Sequence, residues 1–561
     1  ALVWFVTAHV TSCGGGGSGA PPPVGDDGGE PPEPPPPEPP PTAWPPLDPL
    51  LATRNLNTGS FTTAPACAVC HDNSDGATAM RDDAGRGVAP MDLWRATPMA
   101  NSARDPLWRA ALSAEVATNP TAREHIEAVC MRCHAPMAHA TRTAAEQPVS
   151  ADLLYVGGDI TQLGLDGVSC TVCHQIRDEN LGTEESYTGG FVLGTNREIF
   201  AGHANPNPRP MENNVGFTPV FATHTGTSAM CATCHNLETH ALDENGEPTG
   251  HVLLEQGPYF EWRNSVFNDE VPNPAPEAAS CVDCHMPSTD EDGNPIRTKL
   301  AHNPAGGDFG PGAAPERDVF HRHLLVGGNT LLPQLLRENR EALQPNASPE
   351  AQTAVESASR RLLQTQTGSV GVVGFDRNED VLSFTVRVQN LAGHKLPTSY
   401  PSRRTWLHVR VSDAQERLVF ESGASDERGR ILGADGSVLA SETVGGGYEP
   451  HRTTIADGNQ VQIYESVMAL PDGTPTWRLL RGAQYVKDNR LLPKGWDLAH
   501  THAARAGPRG SATSDADFVG GRDDVSFTVH APADAGPYRV DVRLLYQVLK
   551  PRYAAELFEV D

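Results

Sequence analysis

The chain has 561 residues, a formal net charge of -27 and only 38% hydrophobic residues. That length allows two or three domains, and the acidic balance argues against a nucleic-acid binder, which needs a basic face. With 53 glycines and 49 prolines, loops must be abundant.

Residues 1–12 are an apolar run ending in small residues, and Cys13 is followed by four glycines. Val10-Thr11-Ser12-Cys13 resembles a bacterial lipobox. Residues 1–13 therefore read as a signal-peptide remnant, with Cys13 as a lipidated N-terminus anchoring the chain to a membrane. The bland alternative is an apolar strand with a stray cysteine. Residues 14–48 are rich in Gly and Pro, including PPEPPPPEPPP, and read as a semi-rigid spacer with no packed structure.

One pentad then recurs five times: Cys67-Ala-Val-Cys70-His71, Cys130-Met-Arg-Cys133-His134, Cys170-Thr-Val-Cys173-His174, Cys231-Ala-Thr-Cys234-His235 and Cys281-Val-Asp-Cys284-His285. Cys-x-x-Cys-His is the attachment signature of c-type haem. Two cysteines three apart share one side of a helical turn and can bond two vinyl groups of one porphyrin. The next histidine can then reach the iron. Zinc ribbons also use Cys-x-x-Cys, but zinc gives no reason for His to follow the second Cys five times. A thioredoxin-like redox pair occurs once, near a βαβ pattern. The expectation is five covalent haem c groups, ten of the eleven cysteines used, and no disulfides. Such a region, poor in long amphipathic helices, should depend on its porphyrins for folding.

Residues 49–345 are the expected pentahaem domain. Within it, 91–117 carries Trp94, Met99, Leu107, Trp108, Leu112 and Val116 at near-helical spacing, interrupted by Pro106. Residues 122–130 run helically into the second pentad. Residues 319–343 read as a helix pair broken by Gly327-Gly328 and Pro333. Residues 346–561 change character. Segments 369–374, 381–389, 406–412, 417–421, 461–469, 477–486, 525–530 and 538–548 are rich in Val, Phe, Tyr, Leu and Thr between turn residues, as strands of a β-sandwich-like domain would be. The fold class is thus α+β: a helical, loop-rich multihaem domain followed by an all-β one.

Each iron has a second face. The candidates are His125, His139, His203, His224, His240, His251, His302, His321, His323 and His394. More candidates than irons means that some are ordinary surface or hydrogen-bonded histidines. His139, His224 and His240 lie within about ten residues of a pentad. His323 precedes Gly327-Gly328, which would let a porphyrin approach the backbone. His394 sits in Asn390-Leu-Ala-Gly393-His394-Lys-Leu-Pro397, read as a tight loop at a sandwich rim, with Gly393 making room for a porphyrin edge. Those five are the chosen distal ligands. Met99 and Met137 read as core filler.

The stretches IEAVCMRCHAPMA, GVSCTVCHQI, SAMCATCHNLETHALDENG, SCVDCHMP and FHRHLLVGGN resemble the multihaem cytochromes of the cytochrome c-554 type. NLAGHKLPTSYPSRRTWLHV, VQIYESV and YVKDNRLLPKGW resemble the β-domain that follows such cytochromes in secreted bacterial proteins. That family has four haems against five pentads here, so ligation does not carry over directly. The resemblance implies electron transfer in the periplasm or on the cell surface; it does not supply a partner, and redox partner proteins or extracellular acceptors are the expectation for an exported electron carrier.

Haem attachment takes place outside the cytoplasmic membrane, so the chain should be exported, as a periplasmic or outer-membrane lipoprotein. The leading expectation is an electron carrier. The alternative is a reductase of a small nitrogen or sulfur compound with one open haem, although pentahaem nitrite reductases usually carry Lys in one pentad and all five here end in His.

Overall fold

The computed structural model describes the backbone of residues 6–11 and the whole of residues 49–558. Cys13 and the Pro-rich stretch 14–48 lie outside the described residues, as do the expectations attached to them. Residues 6–11, expected in a signal remnant, form an edge strand antiparallel to Arg539–Gln547.

Strand structure begins in earnest at Gly368. One sheet runs Val6–Thr11, Arg539–Gln547, Arg404–Ser412, Ile463–Ala469, Pro475–Thr476, with Leu418–Ser422 and Gln484–Asp488 paired at its flanks. The other runs Thr454–Ile455, Arg522–His530, Val381–Asn390, Gly368–Asn378. Alternation explains the sandwich. Leu382, Phe384, Val386 and Val388 point inward from one sheet, Leu407, Val409 and Val411 from the other, and all are buried in one cluster. Phe384 and Phe527, opposite one another in register, stack with ring centres 5.2 Å apart.

The helical part is built differently. Its helices are short, and each pentad lies on one: Ala64–His71, Arg123–His134, Cys170–Cys173, Ser228–His235 and Cys281–His285, with His174 as the C-cap of the third. The expected helix over 91–117 is two, Pro90–Trp94 and Pro106–Thr118. Pro106 opens the second helix, where its missing N–H costs nothing, and Asp105 caps it by accepting from Leu107 and Trp108. Residues 319–330 are irregular rather than helical, and the chain turns helical only at Leu331–Glu338. Pro333 falls in the first turn of that helix and does not break it. Of the 477–486 strand, only Gln484 onward is strand, because Leu479–Arg481 forms a 3-10 turn. A helix not foreseen, Pro349–Leu362, packs through Val355 on Ala96, Val326 and Ala347, and so belongs with the helical part.

The two parts are joined through buried charge. Glu261, on the helix Pro258–Arg263, accepts from the Lys395 N–H at 3.0 Å and the Thr398 hydroxyl at 2.5 Å, and pairs with Arg490 at 3.2 Å. Lys395 pairs in turn with Asp488 at 2.8 Å. This network clamps the 394–398 loop of the sandwich to the helical part.

Candidate haem-binding site

A single continuous cavity of about 1770 Å³ runs through the helical part and touches all five pentads. A pocket for one small ligand is typically about 300–1000 Å³, so the space suits several large apolar groups. Residues 392–403 of the sandwich also form part of its wall.

Four of the five pentad histidines are held in one tautomer by remote carbonyls. Nδ1 of His71 donates to Leu300 at 3.0 Å, that of His134 to Ser102 at 3.2 Å, that of His174 to Phe200 at 2.7 Å and that of His285 to Val326 at 2.6 Å. The proton on Nδ1 leaves Nε2 as the free lone pair, the arrangement a metal-ligating histidine requires. Burial lowers the proton affinity of His134 and His235 to about 4, keeping both rings neutral near pH 7. Trp108 lies flat on His134, with ring centres 4.4 Å apart, and fixes the ring plane.

Two pentad histidines face a second histidine across a gap. His174 and His323 have ring centres 6.3 Å apart, 28° from parallel. His285 and His394 are also 6.3 Å apart, 9° from parallel. Two imidazoles bound trans to one metal, each through a bond of about 2 Å, have ring centres roughly 6 Å apart. The outer nitrogen of the second histidine in each couple is also tied back: Nδ1 of His323 donates to His321 O at 3.1 Å and that of His394 to Lys395 O at 3.0 Å. Burial lowers the proton affinity of both, His323 to about 3.

The other chosen histidines differ. His139, on the helix Pro136–Ala144, does not line the cavity, and burial lowers its proton affinity to about 4. His224 donates from Nε2 to Ile176 O at 2.8 Å, so that nitrogen is engaged. His240 is exposed on its strand and lines the cavity, and among the described residues no pentad histidine ring stacks opposite it. His302 is held between Asn303 O and Asp72. His321, not chosen from the sequence, lines the cavity with Nδ1 bound to Met286 O at 2.8 Å and Nε2 free; its position in FHRH, two residues before His323, was the available signal. Met137 is buried among Phe61, Leu163 and Val172, as core filler should be. Gly393 packs against Trp262 and Phe267 on the side where a Cβ would stand, so its smallness serves the protein seam and not a porphyrin edge.

Thiols of different pentads lie within electrostatic reach of one another, Cys67 of Cys170, Cys133 of Cys234 and Cys231 of Cys281. Cys173 lies within electrostatic reach of Cys234. Among the described residues no pentad gathers three metal-ligand atoms, as zinc would need. The one group that does is His451, Asp515 and Asp523 in the sandwich. There, Nδ1 of His451 accepts from the amides of Gln462 and Asn489, so Nε2 carries the proton given to Asp515 at 2.8 Å. Both ring nitrogens of His451 are thus engaged, and neither has a lone pair left for a cation.

No protein-family model and no curated protein sequence matches the chain. A solved structure with a coarse likeness of architecture is a penta-heme cytochrome c552 from Thermochromatium tepidum, at TM-score 0.48 and 16% identity over 90% of this chain and 95% of that one.

Proposed function

We propose that this chain is a pentahaem c-type cytochrome that relays electrons. The observation that carries the reading is the pair of histidine couples, His174 with His323 and His285 with His394, each spaced for one iron between them. When bound, haem c supplies one-electron redox chemistry at a potential set by its axial ligands and burial. The residues do the rest. The ten pentad cysteines fix each porphyrin, the carbonyls of Leu300, Ser102, Phe200 and Val326 orient the imidazoles, and the cavity wall excludes water. The cysteines of pentads one and three, two and four, three and four, and four and five lie within electrostatic reach of one another. Haems held by them would be neighbours in the order one–three–four, with two and five beside four, which would suit one-electron transfer between them. Irons held between these two histidine couples would suit one-electron transfer.

The same reading puts the protein outside the cytoplasmic membrane, serving redox partner proteins or extracellular acceptors, with Cys13 as the proposed lipid anchor. Among the described residues no helix is long and apolar enough to cross a membrane. The test is intact mass and electron paramagnetic resonance of protein matured with haem-attachment machinery. Five haem additions and at least two low-spin bis-histidine signals are expected. Bound zinc with no haem mass, or fast turnover of nitrite, hydroxylamine or tetrathionate, would overturn the relay.

A further inference from the structure

The cavity wall beside pentad two holds acids for which a plain relay has no use. Glu255, near the end of the strand Pro248–Gln256, is 4% exposed, and Glu115, on the helix Pro106–Thr118, is 8% exposed. Both line the cavity and lie within electrostatic reach of Cys130, the attachment point of the second porphyrin.

Their settings differ. Glu115 accepts the N–H groups of Leu479 at 2.7 Å and Leu480 at 3.3 Å, with Arg478 and Arg481 close by. Glu255 has only the Thr239 hydroxyl at 2.6 Å and the Gln256 amide at 3.3 Å. No cation among the described residues pairs with it. The facing strand adds Glu238, already paired with Arg505, and exposed His240. Helix Arg123–His134 adds Glu127, paired with Arg123. The sandwich side presents phenols: Tyr400 and Tyr553, joined hydroxyl to hydroxyl at 2.5 Å, and Tyr485, with Asp488 and Arg490 behind it. Burial pushes the Glu255 carboxyl up to about 7, against the Thr239 and Gln256 hydrogen bonds. It therefore changes charge near neutrality, in surroundings of low dielectric where one added charge nearby is strongly felt.

We propose that Glu255 is a proton-binding site coupled to the haem carried by Cys130 and Cys133, so that electron arrival at pentad two is accompanied by proton uptake. Glu255 takes one proton from water, forming one O–H bond, as one electron from a one-electron donor reduces that iron by one unit. The net charge of the site is unchanged, and oxidation returns both. The sign follows from electrostatics: an added electron disfavours the neighbouring carboxylate and raises its proton affinity. Glu115, held by two N–H groups and two arginines, is the weaker responder.

This inference rests on the haem reading, and the experiment separates the two. Haem-loaded wild type, Glu255→Gln and Thr239→Val are titrated spectroelectrochemically between pH 5 and 9, with intact mass to count haems. In wild type one haem potential should fall with rising pH across neutrality, and dye-monitored reduction should consume about one proton at that site. Glu255→Gln should abolish that slope and that proton while the other haems keep their potentials. Thr239→Val, which removes the hydroxyl favouring the carboxylate, should move the same pH window upward, and carries the test if Glu255→Gln folds poorly. Five haems with the wild-type pH profile in both variants overturn the proposal alone. A mass lacking haem on Cys130 overturns the haem reading and the proposal with it.

Discussion

Between the two sheets of the sandwich, strands from residue 382 to residue 544 bury their inward side chains in one cluster. In the helical part the buried apolar residues are divided among several clusters: a larger one with Met131, Leu154, Leu165, Leu332 and Leu336, and smaller ones such as Ala64, Met91, Trp94 and Ala100 near pentad one, or Ala77, Met80, Val88 and Phe320 beyond it. The sandwich supplies its own core. The helical part divides its core around a cavity of about 1770 Å³, the volume that porphyrins would fill. On the proposed reading the chain buries apolar surface in two ways, once with alternating strands and once against a cofactor.

The largest test of this contrast is removal of the cofactor. Protein made without haem attachment should lose protection against proteases across residues 64–345, while strands of 368–547 keep their far-UV circular dichroism. A protease-resistant helical part in haem-free protein would break the comparison. Next in size is a cavity in the sandwich. Leu382→Ala removes a side chain that is 0% exposed and should cost about 2–5 kcal/mol. Denaturant unfolding of the sandwich should shift while five haems remain attached. If the haem absorbance unfolds with the same lowered midpoint, the Glu261 network makes the two parts one cooperative unit.

How much of this could be read beforehand differs between the parts for the same reason. The strands were legible because period-two alternation, as in Leu382-Ser-Phe384-Thr-Val386, is dictated by the neighbours in one sheet. The pentads stood out because the spacing that covalent haem attachment requires recurs five times. Residues 319–330 were misread as helix. Their apolar residues are placed by the cavity: Val326 lends its carbonyl to His285 and His323 faces His174. His394 and His323 were chosen on loop chemistry and lie opposite pentad histidines, whereas His139, His224 and His240 were chosen on proximity along the chain. Proximity in sequence says little here, since the carbonyls that orient the pentad rings come from 26 to 229 residues away. Glu255 carried no signal beyond being an acid in an apolar strand.

The distal histidines sharpen the contrast, because one comes from each part. His323→Ala and His394→Ala should each convert one haem of five from low to high spin and open it to cyanide, with haem content unchanged. Stability should fall only for the second, if at all, since the 394–398 loop also holds the seam through Lys395 and Thr398. Glu261→Gln should loosen the His394 centre and leave the His323 centre as it was. Equal spectral effects of Glu261→Gln on both centres would mean that the sandwich supports the whole cavity and not one haem.

The smallest effect expected lies in a single cap. Of the five pentad helices, the one at Cys281–His285 has a capping box: the Ser280 hydroxyl accepts from the Asp283 N–H at 3.2 Å, and the Asp283 carboxylate accepts from the Ser280 N–H at 2.8 Å. The residues before the other four, Thr63, Ala122, Ser169 and Thr227, make no such side-chain bond to their helices. A helix of five residues is far too short to stand alone, so before attachment this one depends on its cap, and afterwards on two thioether bonds and an iron. Ser280→Ala should therefore cost about 1 kcal/mol only in the haem-free chain. When attachment is slow, that loss should raise the ratio of four-haem to five-haem protein by about fivefold in intact mass. The fully loaded variant should unfold within about 0.5 kcal/mol of wild type. A full loss of the cap energy in loaded protein would show that local helix chemistry, and not the porphyrin, still holds the pentad in place.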